Sequence, residues 1–324
     1  MILVTGASGF LGTHLLQALV NQSMLVKAVY NSTRPAFQHA NIQWVQCDLL
    51  DVIAVAELMN GVTHVYHCAA AVSFEAADAE MVTQKNVDIT ANVVDAALEA
   101  NVIKLIHVSS IAALGRPKVE GGKITEEDSW EESPRNTAYA KGKYQAEMEV
   151  WRAMAEGLCA TILNPGIILG EGDWNKGSAQ LMQTVYNEFA WYTEGVNGFV
   201  DVKDVVSVMI LLMDSAIDTE RYILVEGNHA YKDLFREMAT ALNKKAPHKK
   251  ASKLATELIW RLEAVKSTLT GKKSAITKET ANTAQNKTYY DNSKSLSIPD
   301  FEYTPMYKTI ERMAKQYLKD LQKG

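Results

Sequence analysis

The chain has 324 residues, of which 47% are hydrophobic and 22% charged, and its formal net charge is −5 with a pI near 5.9. That apolar share can bury one large domain or two smaller ones, while the acidic balance gives no bulk attraction to phosphate backbones or anionic lipids, so neither a nucleic-acid nor a membrane role is expected. The three cysteines (Cys47, Cys68 and Cys159) are odd in number, widely spaced and set in apolar runs, which argues against a disulfide framework or a CxxC metal site and for thiols in a reducing cytoplasm.

The opening MILVTG has no basic segment and no long apolar run ahead of its glycines, so no secretory leader is expected. Residues 1–5 (MILVT) read as a first strand and 10–20 as an amphipathic helix. Between them VTGASGFLG supplies Gly6, Gly9 and Gly12. Glycines in a strand-to-helix turn let the backbone approach a pyrophosphate and place its charge on the helix N-terminus. Gly6, Ser8, Gly9, Phe10, Leu11 and Gly12 are therefore candidate dinucleotide contacts, at a GxxGxxG rather than GxGxxG spacing.

The second strand (24–30) ends without the acidic residue that would bind ribose hydroxyls. Asn31, Ser32 and Arg34 in VYNSTRP are instead neutral and basic donors suited to a 2′-phosphate. NADP(H) is the expected cofactor and NAD(H) the alternative. After the third strand (42–47), CDLLD offers Asp48, with Leu49 beside it, as an acceptor for an adenine amino group; equally, Asp48 or Asp51 could cap the next helix (51–59). The fourth strand (64–69) runs into HCAAA, where Ala69, Ala70 and Ala71 are small enough for a bound cofactor to come close, or simply to pack tightly.

A helix at 79–100 carries Asn86, and the fifth strand (102–110) ends on Ser109 and Ser110. Serines there are either turn formers or hydrogen-bond donors to a substrate oxygen that gains charge. In the helix at 138–156, Tyr139 shares a face with Lys143 and not with Lys141. An ammonium beside the phenol favours the phenolate and prepares the tyrosine to pass a proton to or from a carbonyl. A sixth strand follows at 159–164. The repeated alternation predicts an α/β fold, a doubly wound parallel sheet with crossover helices on both faces. His64 and His67 lie on one strand without a carboxylate pattern around them, so no metal site is expected.

Beyond residue 170 the pattern loosens. VSVMILLM (206–213) is too short to span a bilayer, RYILVEG (221–227) reads as a strand, and 244–294 is a lysine-rich polar stretch read as solvated surface. The last helix (304–321) places Tyr307, Ile310, Ala314, Tyr317 and Leu321 on one face. The expected division is a dinucleotide-binding unit at 1–165 with returning segments near 197–227, and a substrate-binding portion at 166–196 and 228–324.

TGASGFLG, HCAAA, NVDITANVVDAA, SSIAALG, YAKGK and NPGIILGEGD stand in the order of the extended short-chain dehydrogenase/reductase family, which the first 215 residues or so resemble. FVDVKDV (199–205) and YYDNSKS (289–295) resemble its dihydroflavonol-reductase-like branch, which holds NADPH-dependent aldehyde and ketone reductases and proteins labelled nucleotide-sugar epimerases. The resemblance implies that Ser110 is the catalytic serine, Tyr139 the acid/base, and Lys143 the residue that also holds the nicotinamide ribose. It sets Asn86 at the motif's asparagine and Pro165, Gly166, Ile167 and Ile168 beside the nicotinamide carboxamide. Asn164 resembles an asparagine that some sugar-nucleotide epimerases place near substrate. The arginine of an RPxxVYGP stretch is absent, and AALG stands where many epimerases have VYG; both weigh against a nucleotide-sugar substrate.

The expectation is thus an NADPH-dependent reductase of a small-molecule aldehyde or ketone. An epimerase or dehydratase holding NAD is the alternative, with Arg221, Arg236 and Lys232 as candidate clamps for a diphosphate; a non-catalytic dinucleotide sensor is the alternative of another class. Phe74, Leu114, Trp130, Trp174 and Phe199 are candidate apolar walls of the substrate pocket. A homodimer through the helices at 79–100 and 138–156 is common in the resembling family.

Overall fold

The computed structural model describes residues 1–71, 79–117, 119, 121–133, 136–251 and 284–322. Phe74 and much of the lysine-rich stretch lie outside the described residues.

The first half alternates as the sequence predicts: β1 (Ile2–Thr5), α1 (Phe10–Asn21), β2 (Val26–Tyr30), β3 (Ile42–Gln46), α2 (Val52–Leu58), β4 (His64–His67), α3 (Ala79–Glu99) and β5 (Lys104–Val108). It continues through α4 (Ala138–Ala155), β6 (Ala160–Pro165), β7 (Ile167–Leu169), α5 (Gln180–Tyr186), β8 (Trp191–Tyr192), β9 (Val196–Asp201) and α6 (Val202–Met213). Last come β10 (Glu220–Leu224), β11 (Gly227–Ala230), α7 (Tyr231–Ala241), β12 (Lys249–Lys250) and a C-terminal helix, Met306–Leu321.

Seven strands form one parallel sheet in the order β10-β6-β5-β4-β1-β2-β3. Side chains alternate across it. Ile2, Val4 and Ala28 pack on one face with α1 and α6, while Leu3 and Val29 pack on the other with α2, α3 and α4. The strand order reverses between β1 and β4, which opens a crevice at their carboxyl ends, the place where doubly wound sheets take ligands. β9 joins β7 and β11 in a separate three-stranded sheet, and β12 pairs with β8.

The C-terminal helix buries Met306, Ile310, Met313, Ala314 and Tyr317 against α5 and α7. The expected face holds only in part, since Tyr307 and Leu321 remain 53% and 46% exposed. The stripe that packs is rotated toward Met306 and Met313. Polar groups fix this helix to the sheet. Asp201 caps α6 through the Lys203 N–H at 2.8 Å and also accepts from Thr309 Oγ1 at 2.6 Å and Arg312 Nη2 at 2.8 Å.

Beside them the buried Asp204 accepts from the N–H and hydroxyl of Thr304 at 2.8 and 2.7 Å. Burial pushes this carboxyl up to about 6 despite those hydrogen bonds. The ordinary aspartate value is near 3.9, so the folded state holds the proton more tightly than the unfolded chain does. The resulting stabilisation is complete below about pH 4 and is lost as pH rises through about 6. Asp204→Asn keeps an acceptor for the Thr304 N–H and a donor for its hydroxyl. It is expected to gain on the wild type by on the order of 2 kcal/mol between about pH 4 and pH 7 in urea unfolding. Parallel stability curves across that window would refute this account.

Candidate active site

At the carboxyl end of β1, Gly6 turns the chain with φ +64°, and a Cβ there would lie 2.7 Å from the Ala69 nitrogen. Only glycine suits both the left-handed backbone and the contact with the strand beside it. A Cβ at Gly12 would be driven into the Gly6 carbonyl oxygen and to 2.8 Å from Ala7 Cα. The first turn of α1 is thereby pressed onto the loop, which is closed by the Gly9 N–H on Gly6 O at 2.9 Å. Ser8 and Gly9 stay exposed at the rim while Leu11 turns into the core. These residues fit a pyrophosphate: a tight cradle without side chains, opening on a helix N-terminus.

Around the cradle, Asn31, Ser32 and Arg34 are exposed after β2, and Arg34 Nη2 donates to Gln38 at 3.0 Å. Of the two aspartates in CDLLD, Asp51 is the helix cap. Asp51 caps α2 through the Ile53 and Ala54 N–H groups at 3.0 and 3.1 Å, while the carboxylate of the exposed Asp48 accepts from the Leu50 N–H at 3.1 Å. Leu49 packs in the core. Ala69, Ala70 and Ala71 follow β4 half-buried, and Asn86 clips that segment to α3: its Oδ1 accepts from Ala71 N at 2.7 Å and its Nδ2 donates to Ala71 O at 2.9 Å.

Thr137 caps α4, accepting from the Ala140 N–H at 3.1 Å, so Tyr139 sits half-buried in the first helical turn. One turn on, Lys143 is buried and its Nζ donates to Val108 O at 3.2 Å, at the end of β5. Gly142 lets the two helices approach, since a Cβ there would stand 3.2 Å from Thr83 Cα. Ser110 Oγ accepts from the Ala112 N–H at 3.1 Å, which leaves its O–H as a donor.

Burial pulls the Lys143 ammonium down to about 8, against the opposing pull of Cys68 and Glu147. Burial pushes the Cys68 thiol up to about 12, opposed by Lys143. Burial and the Lys143 charge together pull His67 down to about 3. His67 is therefore a neutral ring, held by Thr5 Oγ1 at 2.7 Å and Thr90 Oγ1 at 3.3 Å. In this setting Lys143 is the cation that a phenol one turn away on the same helix face would feel.

Several of the candidate pocket residues make contacts within the fold. Phe199 is fully buried in the core against His229 and Tyr231. Trp174 bonds Asp320 at 3.0 Å and packs edge-on to Tyr317, so it anchors the C-terminal helix. Leu114 is 5% exposed in a small core with Ile111, Ile223 and Tyr290. Trp130 stacks on Tyr144 at 4.5 Å, and both rings line a cavity with Met148, Trp151 and Arg221. Asn164 is fully buried, and its Nδ2 donates to Ser110 O at 3.0 Å and Glu147 Oε2 at 2.8 Å. Packing or an internal hydrogen bond thus takes up Phe199, Trp174 and Leu114, whereas Asn164 Oδ1 is buried without a hydrogen-bond partner among the described residues. Pro165 ends β6 in the core, while Gly166, Ile167 and Ile168 are half-buried and Gly166 N donates to Leu224 O at 2.9 Å.

Glu147 is not among the residues expected from the sequence, although its partners Ser109, Asn164 and Arg221 are. Tyr139, Lys143 and Glu147 recur every fourth residue on one helix face, and a charged residue at the third such position was the available signal.

Residues 2–225 match the profile of the NAD dependent epimerase/dehydratase family. The sterol demethylase protein B of Methylococcus capsulatus is 32% identical over 234 residues, covering 70% of each chain. A dihydroflavonol 4-reductase candidate of Synechocystis sp. is 28% identical over 305 residues, 90% of this chain and 87% of the relative. The crystal structure of gox2253 superposes with a TM-score of 0.83 at 26% identity, over 99% of this chain and 98% of that one.

Proposed function

We propose that this chain, which belongs to the NAD dependent epimerase/dehydratase family and is thereby an NAD(P)-dependent oxidoreductase, is an NADPH-dependent reductase of a small aldehyde or ketone. The observation that carries the reading is Lys143, buried beneath the crevice and held on Val108 O, one turn from Tyr139. A nicotinamide bound along the Gly6 to Gly12 turn would supply the hydride. Ser110 offers its O–H to the carbonyl oxygen, Tyr139 gives that oxygen a proton, and the Lys143 ammonium stabilises the phenolate left behind. Ala69 to Ala71 and Gly166 to Ile168 would border the dinucleotide and Asp48 would receive the adenine. We assign its binding to 1–165 with the returning strand β10, and substrate selection to the rest.

A reductase is favoured over an epimerase by what the basic residues do. Arg221 is committed to Glu147 at 3.1 Å and to the Glu126 carbonyl, Arg236 to Asp233 at 2.9 Å, and Lys232 lies over the Tyr192 ring at 5.2 Å. Arg221, the one of the three that is not exposed, is thereby held by a buried carboxylate rather than left for a sugar diphosphate. Calorimetric titration with NADPH and NADH, followed by turnover with an aldehyde and ketone panel that includes 4-nitrobenzaldehyde, tests the reading. NAD retained through purification together with C4 inversion of a UDP-sugar would sink it.

Cofactor choice rests on the residues after β2. An exposed Arg34 that exchanges its Gln38 contact for a 2′-phosphate gains a charge-assisted bond. Arg34→Ala is expected to weaken NADPH about tenfold, the equivalent of roughly 1.4 kcal/mol, and to leave NADH unchanged. Equal weakening of both would refute a 2′-phosphate role.

A further inference from the structure

Behind the reacting groups lies a charged side chain with no place in the reaction just described. Glu147 stands one turn beyond Lys143 on α4 and is fully enclosed. Its Oε2 accepts from Ser109 Oγ at 2.7 Å and Asn164 Nδ2 at 2.8 Å; its Oε1 accepts from Arg221 Nη1 at 3.1 Å and Trp151 Nε1 at 3.3 Å. Donors meet it from the end of β5, from β6, from β10 and from α4 itself. Both oxygens are satisfied in full as acceptors.

Two of those donors lead directly to the reacting groups. Ser109 precedes Ser110, and Asn164 Nδ2 bonds Ser110 O and Glu147 together. Arg221 is held at its other end by the carbonyls of Glu126 and Asp128, so the carboxylate is anchored to a fixed cation. Lys143 in turn bonds Val108 O, one residue before Ser109.

We propose that Glu147 is a positioning residue: its buried carboxylate, tied to Ser109, Asn164 and Arg221, fixes the Ser110 hydroxyl and the Lys143 ammonium in register with Tyr139. This inference rests on the reductase reading for the roles of those three groups. A buried ion pair is a poor source of stability, because desolvation offsets its attraction. A site that must hold two hydrogen-bonding groups within a fraction of an ångström has a use for one.

Among the described residues, the charged or titratable groups facing Lys143 are His67, Cys68 and His107 from the strands and the end of β4, and Glu147 and Tyr139 from its own helix. Burial and the Lys143 charge hold both histidines low, and burial holds the thiol high. Among the described residues Glu147 is therefore the carboxylate that helps to hold the ammonium charged, and removing its charge must move the lysine titration to lower pH.

The test uses the full-length protein with NADPH and 4-nitrobenzaldehyde, together with NMR titration of the lysine resonance that is absent from Lys143→Met. Glu147→Gln is expected to cut kcat at least tenfold, to change NADPH affinity less than twofold, and to move both the Lys143 midpoint and the alkaline limb of kcat/KM at least half a pH unit lower. Asn164→Ala, which keeps the charge and cuts the link to Ser110, should lower kcat without moving either midpoint. If Glu147→Gln alone does not fold, Glu147→Gln with Arg221→Gln removes the orphaned guanidinium and carries the same expectations. A folded Glu147 variant with unchanged kcat and unchanged Lys143 midpoint overturns the proposal, even if its melting temperature falls, because that outcome leaves only a structural brace. Should Tyr139→Phe also retain full turnover, the failure belongs to the reductase reading instead.

Discussion

Tyr139→Phe is expected to lower kcat for carbonyl reduction by about 10²- to 10⁴-fold, the range a positioned general acid contributes. NADPH affinity should stay within about twofold, since the phenol oxygen is the only atom removed and the turn at Gly6 to Gly12 lies on another strand. Stopped-flow turnover and calorimetry on the same preparation separate the two quantities. The pH profile carries the second half of the argument. Lys143 is pulled down to about 8 by burial, so its ammonium, and with it the stabilised phenolate, is present below that pH and lost above it. In the wild type, kcat/KM should therefore fall on an alkaline limb near pH 8. Full activity in Tyr139→Phe, or loss of activity matched by loss of cofactor binding, would remove Tyr139 from the chemistry.

Much of this site was legible because local chemistry and fold position coincide. The glycines of TGASGFLG announce a turn whose Cβ positions are filled by backbone, and the four-residue step from Tyr139 to Lys143 fixes a shared helix face before any tertiary contact is known. The substrate walls were not legible. Phe199, Leu114 and Trp174 are apolar residues near glycines and loops, and nothing in their neighbours distinguishes a ligand wall from a core plug. Phe199 is buried because β9 lies between β7 and β11, a pairing across more than twenty residues of sequence. Asn164, expected near substrate from the family resemblance, and Arg221, a candidate diphosphate clamp of the epimerase alternative, each suit a buried partner equally well. Glu147 is that partner, on a helix 17 residues from Asn164 and 74 from Arg221 in sequence.

Gly12→Ala is expected to raise the dissociation constant for NADPH by at least about tenfold and to lower the melting temperature by several degrees, as a forced core rearrangement costs about 1–3 kcal/mol. The cause is backbone against backbone: the new Cβ would be driven into Gly6 O and close to Ala7 Cα, and neither can rotate away as a side chain would. The turn must open, which separates α1 from β1 and loosens Gly6 from its contact with Ala69. Gly9 offers the contrasting case. It is exposed, and a Cβ there meets only Gly6 O, at 3.1 Å, so Gly9→Ala should melt within a few degrees of the wild type. That added methyl nonetheless occupies the rim where a pyrophosphate would approach, so cofactor affinity should fall almost as far as in Gly12→Ala. Thermal unfolding and NADPH titration of the two variants thus separate a glycine needed by the fold from one needed by the ligand. Wild-type affinity in Gly9→Ala would mean that the dinucleotide does not lie across this turn, and the assignment of Tyr139 as its proton-donating neighbour would fall with it.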